Sequence, residues 1–115
     1  MLKTIVTILS LVTFAFAKTV TYTWSIGWVT AAPDGFTRQV IGINGQFPLP
    51  TIEGDVGDRI VISVYNALGD ESTSIHFHGL DQPGSQFSDG PSGVTQCPIP
   101  PGGSLVYDFI VSLPQ

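Results

Sequence analysis

The two histidines of this chain fall in one tripeptide, His76-Phe77-His78. On extended backbone, residues i and i+2 point to one face and residue i+1 to the other. Two imidazoles would then share a surface while Phe77 turns away from it. Their Cα atoms would lie about 6.5–7 Å apart, which suits two rings reaching neighbouring metal ions, or one ion with outside help, better than two rings closing on one small ion. Imidazole favours copper, zinc, nickel or iron, whereas calcium and magnesium prefer oxygen. Two imidazoles do not complete a four-coordinate site. Asp81 and Asp89 are close enough in sequence to contribute, although acids in such loops are usually solvated. With no further ligand, the pair is simply an exposed feature of a strand face.

The elements around this segment read as short strands. Thr19 to Ser25 alternates and is rich in β-branched and aromatic residues. Residues 28–35 break that run, with Pro33-Asp34-Gly35 as a turn. A short apolar piece, Val40 to Ile43, ends at the turn dipeptide Asn44-Gly45. Pro48 and Pro50 make a rigid link unsuited to a central strand. In Arg59 to Asn66, Ile60, Ile62 and Val64 fall on one face and Val61, Ser63 and Tyr65 on the other. Residues 74–80 can be extended, and residues 104–111 (SLVYDFIV) form the last convincing strand. No run has a sustained helical period. Short strands between Gly/Pro turns give an all-β fold, a sandwich or barrel.

Composition agrees. Gly and Pro together number 22 and charged residues are 11% of the chain, against about 25% in an average soluble domain. Residues 1–17 read as a secretory signal peptide: Lys3 is the positive n-region, Ile5 to Phe16 the apolar stretch, and Ala15-Phe16-Ala17 the small-x-small cleavage site. That leaves residues 18–115, enough for one domain at most. Its three basic residues (Lys18, Arg38, Arg59) against nine acidic ones give a net charge of −6. Such a balance offers no electrostatic footprint for nucleic acid. The single cysteine, Cys97, is odd for a secreted chain and calls for a partner outside the sequence, a free thiol or a small buried hydrophobe.

The histidine tripeptide continues as His76-Phe77-His78-Gly79, with Asp89-Gly90 and then Gln96-Cys97-Pro98-Ile99 downstream. This run resembles the first copper-binding segment of the multicopper oxidases, the family of laccases and fungal ferroxidases. The similarity extends through Ile43-Asn44-Gly45-Gln46-Phe47-Pro48, Gly57-Asp58-Arg59 and Pro100-Pro101-Gly102, and covers essentially Thr19 to Val111.

The resemblance implies a cupredoxin-like Greek-key β-sandwich over residues 18–115, expected to be incomplete at its C-terminal end, as the N-terminal domain of a larger enzyme. It implies copper as the cofactor, with His76 on the type 2 copper and His78 on a type 3 copper of a trinuclear cluster. Asp89 matches an acid that assists proton delivery as dioxygen is reduced to water. Gly79 would let backbone pack beside the cluster. Cys97 matches a cysteine that bridges to a C-terminal segment outside this chain. The type 1 copper site would lie in the remaining cupredoxin domains of the parent. The implied reaction couples one-electron oxidation of a reducing substrate to oxygen reduction, outside the cell or at its surface. Ser25-Ile26-Gly27-Trp28 and Phe77 favour Fe(II) over phenols, and with a ferroxidase an iron permease enters as partner.

Two readings compete with this one: a small secreted copper-binding module without turnover, and an inactive truncation product. Against the module, the mature chain has two histidines, one cysteine and no methionine, few soft ligands for a closed site. On the truncation reading, isolated 18–115 would expose strand edges and an apolar face, and is expected to aggregate or remain partly unfolded.

Overall fold

The computed structural model describes residues 16–113. Residues 1–15, most of the expected signal peptide, lie outside the described residues. Four strands form one sheet: β1 (Thr19–Ala31), β2 (Arg38–Ile43), β3 (Arg59–Asn66) and β4 (Ser104–Ile110). Their order is β2-β1-β3-β4, with β1 antiparallel to β2, parallel to β3, and β3 antiparallel to β4.

The strand reading of 59–66 and 104–111 matches β3 and β4 almost residue for residue, and the alternation holds: Ile60, Ile62 and Val64 are buried. The first strand is longer than expected. β1 does not break at Trp28 but runs to Ala31, because it changes partners along its length. Residues 19–26 pair with β3 and residues 26–31 with β2. Gly27 sits just past that exchange. Trp28 is anchored by its Nε1–H, which donates to the Leu68 carbonyl at 3.0 Å.

The turn at Asn44-Gly45 forms as expected, with Asn44 at φ 52° and Gly45 at φ 77°. The Asn44 side chain accepts from the Ser25 N–H at 2.8 Å and donates to the Thr23 carbonyl at 3.1 Å, tying the turn to β1.

Over the inner face lies a second layer built from residues 67–103, largely irregular except for a short 3-10 helix, Gln86–Ser88. Leu68, Phe77 and Ile99 from this layer pack on Trp24, Ile26, Ile43, Tyr107 and Phe109 from the sheet. A buried side chain, Asn66, joins the layers. Its Nδ2 donates to the carbonyls of Glu71 (2.8 Å) and Ile99 (3.0 Å), and its Oδ1 accepts from the Leu68 N–H (3.0 Å). Every polar atom of that amide is thereby used, as burial of an amide requires.

Candidate metal centre

The histidine segment hangs from this frame by successive anchors. The Thr73 and Ile99 backbones exchange two hydrogen bonds, at 3.1 and 2.7 Å. Two residues on, the Ile75 N–H donates to the hydroxyl of the fully buried Tyr107 at 2.9 Å. Phe77 then inserts into the core, with ring centroids 4.7 Å from Phe109 and 5.3 Å from Tyr107. The segment is held, but not as a ladder strand: residues 74–77 have no sheet pairing, and the Leu80 N–H turns back onto the Phe77 carbonyl at 3.2 Å. The expected i, i+2 geometry survives, because Phe77 is buried while His76 and His78 are exposed.

Across from the histidines runs the turn at Asp89-Gly90. The Asp89 carbonyl accepts twice, from the Phe77 N–H at 3.1 Å and from His76 Nδ1 at 2.9 Å. A carbonyl only accepts, so His76 carries its proton on Nδ1 and keeps a lone pair on Nε2. His78 Nδ1 lies 3.3 Å from that Nε2, the rings nearly perpendicular with centroids 5.3 Å apart. When His78 is protonated on its other nitrogen, two lone pairs face one another, an arrangement that a cation relieves.

Tetrahedral metal–nitrogen bonds of about 2.0–2.1 Å span an edge of about 3.3–3.4 Å. The two nitrogens therefore lie close enough for one ion or for two adjacent ones, closer than the Cα spacing alone implies. Their chemistry fits copper, a metal for which imidazole is a natural donor.

The Asp89 carboxylate stands beside this pair, its Oδ1 3.5 Å from His76 Nδ1. The Asp81 main-chain carbonyl accepts from the Ser112 hydroxyl at 2.5 Å. Among the described residues no group of three or more His, Cys, Asp or Glu is placed to hold a metal. Cys97 is exposed and free among them.

Of the glycines that follow His78 and Asp89, the one that close neighbours crowd is Gly90, not Gly79. A Cβ built on Gly79 meets nothing within 4 Å, and that residue's need is the positive φ of 82° in its turn. At Gly90 a Cβ would sit 1.7 Å from the Ile75 carbonyl oxygen and 2.9 Å from His76 Cα, at φ 102°. Gly90 lets the Asp89 turn close against the histidine segment. In the sequence it looks like any Asp-Gly turn, and nothing marks it as a close-approach position.

A family description, multicopper oxidase, matches residues 25–115. The iron transport multicopper oxidase fetC of Epichloe festucae is 57% identical over 101 residues, covering 87% of this chain and 16% of that protein. Laccase-1 of Cryptococcus neoformans var. neoformans is 53% identical over 91 residues, covering 79% and 14%. Among solved structures, the laccase of Botrytis aclada superposes with a TM-score of 0.79 at 46% identity, covering 84% of this chain and 18% of that one. Fet3p, a multicopper oxidase that functions in iron import, gives 0.77 at 46% identity, covering 81% and 18%. This chain thus spans about a sixth of the length of the relatives it matches. The all-β fold is that of their cupredoxin-like domains. With the matching fold, the histidine pair and a family match over most of its length, the chain belongs to the multicopper oxidase family.

Proposed function

We propose that this chain supplies His76 and His78 as copper ligands in a secreted oxidase that couples one-electron oxidation of a substrate to reduction of dioxygen to water. The observation that carries the reading is the pair of ring nitrogens 3.3 Å apart, with His76 Nδ1 already engaged by the Asp89 carbonyl. By their place in the motif, His76 serves the type 2 copper and His78 a type 3 copper of a trinuclear cluster. Bound copper would supply the one-electron redox chemistry and the place where dioxygen is reduced. The ligands beyond these two, and the type 1 site, come from other cupredoxin domains.

This chain's own residues do four things. The Asp89 carbonyl fixes the His76 ring and its tautomer, leaving Nε2 as the donor. Phe77, wedged between Tyr107 and Phe109, sets the height of both rings above the core. The Asp89 carboxylate, partly open to solvent, is placed to pass protons toward the histidine pair, and four electrons delivered to dioxygen require four protons. The exposed Cys97 thiol pairs with a cysteine outside this chain.

Fe(II) is the favoured reducing substrate and an iron permease the accompanying partner, at the cell surface or outside it. Support comes from Ser25-Ile26-Gly27-Trp28 and Phe77, and from the 57% and 56% identities to iron transport oxidases against 53% to a laccase. The test is oxygen uptake by the full-length protein with Fe(II) and, separately, with a phenol. Faster turnover of Fe(II) supports the assignment, faster phenol oxidation makes it a laccase, and no uptake with either refutes the oxidase reading.

A further inference from the structure

Asp58 is a carboxylate with only 3% of its surface exposed, far from the histidines in sequence and unused by the chemistry above. Its Oδ1 accepts from the backbone nitrogen of Lys18 at 3.0 Å, and its Oδ2 from the Asp55 N–H at 2.9 Å. Lys18 is the residue directly after the expected cleavage point at Ala17. It is also fixed on its other side, where its carbonyl accepts from the Arg59 N–H at 2.9 Å. The buried carboxylate is thus aimed at the one backbone nitrogen that processing would turn into an amine.

The charges around it are unbalanced in the unprocessed chain. Lys18 Nζ lies 3.4 Å from Asp55 Oδ2 and 3.5 Å from Asp58 Oδ2, so two carboxylates share one ammonium. Glu53 lines the same cleft, and the Arg59 guanidinium is turned away onto Asp108. A second positive charge at the Lys18 nitrogen would match the two aspartates.

We propose that removal of residues 1–17 creates an ion pair between the new α-ammonium of Lys18 and the buried Asp58 carboxylate, which the domain lacks until it is processed. Hydrolysis by a signal peptidase breaks the Ala17–Lys18 C–N bond. Water delivers hydroxyl to the Ala17 carbonyl and a proton to the Lys18 nitrogen, and the amine takes a second proton from solvent. A hydrogen bond from a neutral amide to the carboxylate becomes an ammonium–carboxylate ion pair, with both partners charged. The inference rests on residues 1–17 being a signal peptide, as the proposed secretion requires, and is independent of copper.

The test uses the full-length protein purified from culture medium. N-terminal sequencing comes first: a mature end other than Lys18 overturns the proposal at its premise, while copper content reports separately on the metal reading. With Lys18 first, the pH of half-maximal acetylation of the α-amine is measured by peptide mass mapping. It is expected above the usual range of about 7.7–8.0 for an α-amino group, and within that range in Asp58→Asn. A second variant with one glycine inserted between Ala17 and Lys18, cleaved before that glycine, keeps Asp58 but displaces the amine. Its melting temperature is expected to fall. An ordinary α-amine titration, or an unchanged melting temperature with the amine displaced, overturns the proposal.

Discussion

Substituting Gly90 by alanine should disturb the candidate metal centre without replacing either histidine. Carbon contacts under 3.0 Å essentially never occur, and the new Cβ would sit 1.7 Å from the Ile75 carbonyl oxygen. One of the two backbones must therefore retreat by about 1.3 Å, the difference of those two distances. Neither can move without pulling the Asp89 carbonyl from the Phe77 N–H and from His76 Nδ1. Two hydrogen bonds at about 0.5–1.5 kcal/mol each, added to about 1–2 kcal/mol for a Cβ at positive φ, give a loss of about 2–5 kcal/mol. A ligand displaced by about 1 Å can cost about 100-fold in rate. The control is Gly79→Ala, which also sits at positive φ but meets nothing within 4 Å; it should cost only the about 1–2 kcal/mol of backbone strain. Denaturant unfolding, copper content and oxygen uptake of the full-length protein are the assays. Equal stability and equal copper content for the two variants would refute the close-approach argument.

Phe77→Ala should lose about 3–5 kcal/mol of stability, seen in a denaturant midpoint, because the ring is buried against Tyr107 and Phe109. Asp89→Asn keeps the main-chain carbonyl that orients His76, so copper content should hold while oxygen reduction falls by about 10²–10⁴-fold; an unchanged rate would remove Asp89 from proton delivery. Asp58 has its pKa lowered by the Lys18 and Asp55 backbone N–H groups and then by the Lys18 charge, and Asp108 by Arg59. Folded-state pKa values below the unfolded ones mean stability that is fully present above about 3.8, the ordinary aspartate value, and lost as pH falls through the folded values. Asp58→Asn should therefore flatten the acid limb of a stability–pH curve measured by thermal unfolding between pH 2 and 5.

Much of the frame is legible in the sequence because it rests on period-two alternation. Ile60, Ile62 and Val64 declare β3, and Asn44-Gly45 declares its turn through the backbone angles it tolerates. Thr19 to Ser25 is equally clear, yet the second half of β1 is not, since a strand that changes partners at Ile26 carries no local mark of the exchange. The parallel pairing of β1 with β3 is likewise a property of the assembled sheet. The same distinction holds at the site. His76 and His78 announce themselves by type and spacing, and the buried Phe77 follows from alternation. The contacts that aim them do not: the Tyr107 hydroxyl on the Ile75 N–H spans 32 residues, and the Asp89 carbonyl acts through backbone, which every residue possesses. Gly79 and Gly90 look alike in the sequence because only one of them faces another segment of chain.

The proposed role of His76 and His78 is to hold copper together with ligands from outside this chain. Copper per molecule, measured by elemental analysis on the secreted full-length protein and on His76→Ala and His78→Ala, tests it most directly, with circular dichroism establishing that each variant is folded. Either substitution should deplete copper and abolish oxygen reduction in a folded protein. A full copper complement with undiminished oxygen uptake in either variant would contradict it.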